Sequence, residues 1–201
     1  MKRTLFGLLF GIPIFAMSQY GLKAGVNFAS VTNASSINSS NQSGFMIGAF
    51  LAPPSKSILS SRTELVYSKQ GYNFETGTRS GNVDLDYLII PQLMGINISK
   101  FFQLQVGFQM AFLLNAQADT ISTSGIAGSY ASVMDYYNKF DYGFGFGAEV
   151  HPFKGLLLGA RYNISVAKLY KDLETGQPPA FTVEDAKNNV VQIYAGWRFG
   201  K

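Results

Sequence analysis

Few residues in this chain have the type and spacing to do chemistry. It holds a single histidine, His151, and no cysteine. Any histidine-based relay or metal site must therefore run through His151, and thiolate, disulfide and cysteine-ligated metal chemistry drop out. His151 precedes Pro152 in a short turn, which reads as a rim histidine and not as a ligand. The charged residues say more. Lys23, Arg62, Glu64, Asp86, Asp141, Glu149, Arg161 and Arg198 each fall on the small, polar side of an alternating stripe. Carboxylates among them could act as a glycosidase-like pair, but nothing in their spacing favours it. They could line a narrow polar pore or ligand pocket, or neutralise one another in a packed interior. An unpaired buried charge costs several kcal/mol, so a paired structural network is the expectation. The Gly143, Gly145, Gly147 run lacks the G-x-G-x-x-G spacing and following helix of a dinucleotide site. No catalytic residue, cofactor or metal ligand is assigned.

The stripes that carry these charges are β-strands. In Phe140–Val150 every even position is apolar or aromatic and every odd one is Gly, Asp or Glu. A period of two places the two sets on opposite faces of a strand. The small, polar set fits the crowded interior of a small barrel, and the aromatic set fits a wall facing lipid. The pattern recurs over residues 20–30, 43–52, 58–74, 83–98, 102–115, 156–170 and 188–199. In 102–115, Gln103, Gln105 and Gln109 oppose Phe102, Leu104, Val106 and Phe108, with Leu113 out of pattern. In 83–98, Asp86 goes to the inward side; alternation blurs after Leu93, and Pro91 marks an irregularity, so a bulge or face switch is expected near Gly95.

Connections alternate between long polar loops and turns of a few residues. The loops cover 31–42, 75–82, 117–139 and 171–187; the turns hold Pro53–Pro54, Ser99–Lys100 and Pro152–Lys154. The fold expected is all-β: an eight-stranded antiparallel up-and-down transmembrane barrel with long outer loops and short periplasmic turns. Tyr20, Trp197 and Phe199 would form an inner aromatic girdle, and Tyr72, Tyr142 and Tyr170 an outer one.

Composition agrees. Charged residues make up 14% and aromatics 14%, and there are 21 glycines; soluble domains carry roughly 25% charge. Mean hydropathy is only +0.09, and no apolar run reaches the ~18 residues of a membrane helix. Residues 1–18 read as a signal peptide: Lys2 and Arg3, an apolar stretch to Ala16, and small residues Ala16 and Ser18 before a cut at Gln19. Residues 19–201 are then one barrel domain. Lys2 and Arg3 supply part of the net charge of +4, so the basic balance does not argue for nucleic acid.

The chain resembles the PorT-type outer-membrane β-barrel proteins of Bacteroidetes. The resemblance spans the mature chain and rests on Gly21-Leu-Lys-Ala-Gly-Val-Asn27, Glu64-Leu-Val-Tyr-Ser-Lys-Gln-Gly71, Tyr87-Leu-Ile-Ile-Pro91, Phe144-Gly-Phe-Gly147 and the terminal strand. The chain departs at its end, where Phe199 is followed by Gly200 and Lys201. The resemblance implies an outer-membrane location and an eight-stranded barrel, and the member that names the family suggests a link to protein secretion or cell-envelope assembly. With a filled polar interior, the role expected is structural or interaction-based and not enzymatic. The partners expected are outer-membrane lipid and envelope or secretion proteins met through loops or turns, with a monomeric barrel and no nucleic acid. The sequence leaves three alternatives open: a narrow pore or small-ligand transporter, an outer-membrane enzyme, and a secreted lipocalin-like barrel with its aromatics inside.

Overall fold

The computed structural model describes residues 19–32, 39–53, 55, 57–76, 79–122, 131–171 and 185–200. The signal sequence expected over 1–18 and much of the expected loop sequence lie outside the described residues. Among the described residues nine strands form: β1 (Gln19–Thr32), β2 (Ser40–Ala52), β3 (Leu59–Thr76), β4 (Arg79–Asn97), β5 (Phe102–Ser122), β6 (Ala131–Ser132), β7 (Phe140–Val150), β8 (Leu156–Ser165) and β9 (Lys187–Phe199). Eight long strands pair antiparallel in sequence order, and β1 pairs with β9 to close the ring. The two-residue β6 is a short flap on β5.

Side chains sort by parity around this ring. The outward set is exposed and apolar: Leu22, Phe45, Ile47, Leu65, Phe144, Phe146, Ile193 and Trp197 are each between 48% and 57% exposed. A soluble protein does not present such a belt to water, whereas a lipid-facing wall requires it. The inward set is buried. Where inward residues are glycine, the missing side chain makes room for a neighbour's. A Cβ on Gly145 would stand 2.8 Å from Asn163 Oδ1, and one on Gly159 would stand 2.7 Å from the Tyr194 hydroxyl.

The wall is uneven in height. β3, β4 and β5 run for 18, 19 and 21 residues, against 11 and 10 for β7 and β8. Crossing a bilayer takes about 9–11 tilted residues, so the β3–β5 wall stands well beyond it. On the low side the sheet ends earlier than the alternation predicts. β8 stops at Ser165, not residue 170, and the following residues turn inward, with Leu169 and Tyr170 buried. The bulge is also elsewhere: pairing runs without slip through Gly95, and the β4–β5 register shifts between Asp86 and Tyr87, opposite Leu114. That extra residue points outward and lets Leu113, Ala116 and Ala118 all face in. Leu113 is thus the start of an apolar layer and not an exception in a polar one.

Candidate functional site

From the short-turn end the lumen opens as a cavity of about 810 Å3 whose lining includes Arg62, Lys100, Gln103, Gln105, His151 and Arg198. Gln19, the first described residue, and Arg198, two residues before the last, sit at this mouth. In outer-membrane barrels the short turns face the periplasm, so this is a periplasmic vestibule.

Its floor is an ion-pair layer. Glu64, brought inward by β3, accepts Lys23 Nζ of β1 at 2.5 Å and both terminal nitrogens of Arg161 of β8 at 2.7 and 3.0 Å. Glu149 of β7 accepts Arg62 at 2.5 Å and the Tyr194 hydroxyl at 2.9 Å, and its second oxygen lies 3.2 Å from His151 Nε2. Arg161 also donates to Gln105 Oε1 at 2.8 Å. The cations lie on rings as well: Lys23 Nζ is 4.3 Å from the Tyr194 centroid and the Arg62 guanidinium 4.7 Å from Phe50. Carboxylates saturated by several donors are held as charges and are poor proton carriers.

Above it lies a layer of amides and hydroxyls. Asn27 donates to Ser68 at 2.8 Å, Gln70 donates to Ser68 at 2.8 Å, and Asn188 donates to Gln70 at 2.6 Å. A void of about 10 Å3 remains beside Asp141, Asn163 and Ser165, room for about one water.

The outer third is apolar and aromatic. Tyr72, Phe74, Val83, Leu85, Tyr87 and Leu113 meet Tyr137 and Tyr170, which come from the connecting segments. The Tyr72 hydroxyl bonds Tyr137 at 2.7 Å and also bonds Tyr170. Backbone bonds draw these segments over the low wall: Val133 N–H to Ala116 O at 3.0 Å, and Lys171 N–H to Tyr136 O at 3.0 Å. Burial pushes the Tyr170 hydroxyl up to about 12, against the opposing pull of its bonds to Tyr72 and Tyr137, and raises Tyr137 as well.

The residues singled out from sequence separate here. Lys23, Arg62, Glu64, Glu149 and Arg161 meet in one layer. Arg198 faces inward at the mouth without an ion pair among the described residues. Asp141 faces inward higher up; Ser165 donates to it at 2.5 Å and no cation pairs with it among the described residues. Asp86 is a correction. It belongs to the outward set of β4, where Asn115 donates to it at 3.2 Å, because Leu85 and Tyr87 take the inward positions. Two girdle assignments are corrected too. Tyr20, Tyr142, Trp197 and Phe199 are exposed on the outer wall, but Tyr72 and Tyr170 are buried in the plug. Tyr72 shares the parity of Glu64, Ser68 and Gln70, so only the lumen is open to it. The buried aromatic plug, with Tyr87 and Tyr137, was missed from sequence; the even-position run Ser68, Gln70, Tyr72, Phe74 was its signal. Among the described residues no three His, Asp or Glu side chains group as a metal site.

The profile of the outer membrane protein beta-barrel domain family matches residues 10–171. The chain belongs to this family. It is therefore an outer-membrane barrel, and the lipocalin-like alternative falls, since Phe144 and Phe146 line the outside. A comparison with curated proteins returned no match. Among solved structures, the attachment invasion locus protein Ail of Yersinia pestis is similar with TM-score 0.51 and 16% identity, over 90% of this chain and 99% of that one. Neisserial surface protein A is similar with TM-score 0.56 and 11% identity, over 90% of this chain and 97% of that one. At such identity the likeness is one of fold.

Proposed function

We propose that this outer-membrane barrel is a closed scaffold of the PorT type, without enzymatic activity, that acts as a monomer by presenting loops and periplasmic turns to envelope or secretion proteins. The observation that carries this reading is the filled lumen. An ion-pair layer, an amide layer and a tyrosine plug succeed one another along the axis, and the void between them holds about one water. A pore would need a continuous polar path, and an enzyme a carboxylate or histidine with a free side toward substrate. Glu64 and Glu149 have none, each being bound by three side chains, and His151 turns its Nε2 to Glu149.

Planar-bilayer recording of the folded protein tests closure: a flat current is expected, and resolved single-channel steps would overturn it. Photo-crosslinkers placed at Lys100 and Lys154, on the periplasmic turns, test the partner role in living cells. Envelope proteins captured at these turns support it; no adduct from the turns or from outer-loop positions such as Lys171 would sink it.

A further inference from the structure

The charges at the periplasmic mouth do not balance. Each carboxylate that reaches the lower lumen is already taken: Glu64 by Lys23 and Arg161, Glu149 by Arg62, Tyr194 and His151. Arg198 lies beyond them on the vestibule wall, feeling Glu149 only at a distance, and among the described residues it has neither an ion pair nor a hydrogen-bond partner for its buried Nε. A buried guanidinium nitrogen without an acceptor is a costly arrangement that calls for one. Lys100 and His151 line the same cavity, and Arg62 forms its inner wall. The described turns extend the imbalance: residues 98–101 and 151–155 carry Lys100 and Lys154 and no Asp or Glu. Low-dielectric walls concentrate such a field in the cleft.

We propose that this vestibule is a binding site for a phosphate group, with Arg198 as its principal donor and Lys100 as a second cation. A planar guanidinium is suited to a phosphate's paired oxygens. The volume of about 810 Å3 is that of a small-molecule pocket and far exceeds a bare ion. The phosphate is thus carried on a larger body, either a soluble phosphate ester or the headgroup of an inner-leaflet phospholipid. This site is independent of whether the lumen conducts, since it lies entirely on the periplasmic side of the ion-pair layer.

Titration calorimetry of the full folded barrel in a non-ionic maltoside, with inorganic phosphate as probe, tests it. Saturable binding is expected, weakened about tenfold in Arg198→Gln by loss of a charge-assisted bond, and less in Lys100→Gln. Lys100 sits in an exposed turn, so K100Q keeps the test valid where R198Q fails to fold. Repeating the titration in nanodiscs separates the sources. Phosphate binding that persists beside phosphatidylglycerol points to a soluble ester, and binding abolished by that lipid but not by phosphatidylcholine points to a headgroup. The proposal is overturned by absence of saturable binding in micelles and nanodiscs alike, by affinity unchanged in both variants, or by succinate binding as tightly as phosphate.

Discussion

The two ends of the lumen are filled by opposite means. Near the periplasm, buried charges are held by one another: Lys23, Arg62 and Arg161 on Glu64 and Glu149. Toward the outside, apolar side chains from the tall β3–β5 wall pack against segments drawn over the low β7–β8 side, and hydroxyls serve only to join Tyr72, Tyr137 and Tyr170. The difference follows from what surrounds each layer. The ion-pair layer is ringed by strands of a continuous sheet with lipid beyond, and several strands can each supply one partner at a fixed height. The plug stands where β8 has ended, so the low side has no strand to fix a counter-charge opposite β3–β5, and apolar burial closes the gap without needing exact directions.

If the lower layer is one interlocked unit, breaking its centre should cost the most. Glu64→Leu leaves Lys23 and Arg161 facing each other in a closed space. A loss of about 3–5 kcal/mol is expected, as for a buried pair stripped of one partner. Urea unfolding of the barrel in detergent or lipid measures it. A loss under about 1 kcal/mol would mean that solvent from the vestibule already screens the layer.

The plug should answer a milder change with a smaller effect. Tyr72→Phe keeps the ring and removes the hydroxyl shared by Tyr137 and Tyr170, for an expected loss of about 1–3 kcal/mol. Proteolysis of the described connecting segments should rise while the lower layer stays intact, so cleavage within 131–139 or 166–171 is the more sensitive readout. If residues 131–139 and 166–171 resist protease equally in both proteins, packing alone holds them in place.

Alkali probes the same region. Tyr170 ionises at about 12 in the folded barrel, above the ordinary value near 10. The unfolded chain therefore loses this proton first, and stability falls as pH rises from about 10 through about 12, being fully present below that window. Tyrosinate absorbance against pH should show a class of tyrosines titrating late, which Tyr137→Phe and Tyr170→Phe should each reduce.

How far the sequence foretold these two regions differs with the physics that builds them. Strand identity, ring order and the outer belt were readable because parity repeats: Phe140, Tyr142, Phe144 and Phe146 announce a lipid wall without any tertiary knowledge. The polar lower layer was readable for the same reason, glutamates and arginines standing where alternation points inward. Parity fails where both faces are apolar. Along β4 the strand offers Leu85, Tyr87 and Ile89 on one side and Leu88 and Ile90 on the other, and Asp86 tipped the reading the wrong way. The outward Asp86 is tolerated because Asn115 of the neighbouring strand donates to it at 3.2 Å. The bulge opposite Asp86 and Tyr87 was hidden as well, since Leu113 and Leu114 are the same residue type and only packing decides which turns in.

The outer surface of the tall wall offers the gentlest comparison. Lys69 and Asp84 pair at 3.2 Å on the outward side of β3 and β4, with the lysine side chain 39% exposed. Chemically this is the same pair as Lys23 and Glu64, which are wholly buried. If environment and not pairing sets the worth of a charge, Lys69→Ala should change stability by about 0–1 kcal/mol and lose even that in high salt. Lys23→Ala, by contrast, should cost several-fold more and be indifferent to salt, because the closed lumen admits no counterion. Paired unfolding curves at low and high salt decide it. Equal salt responses would place solvent in the lower lumen and set both pairs on the same footing.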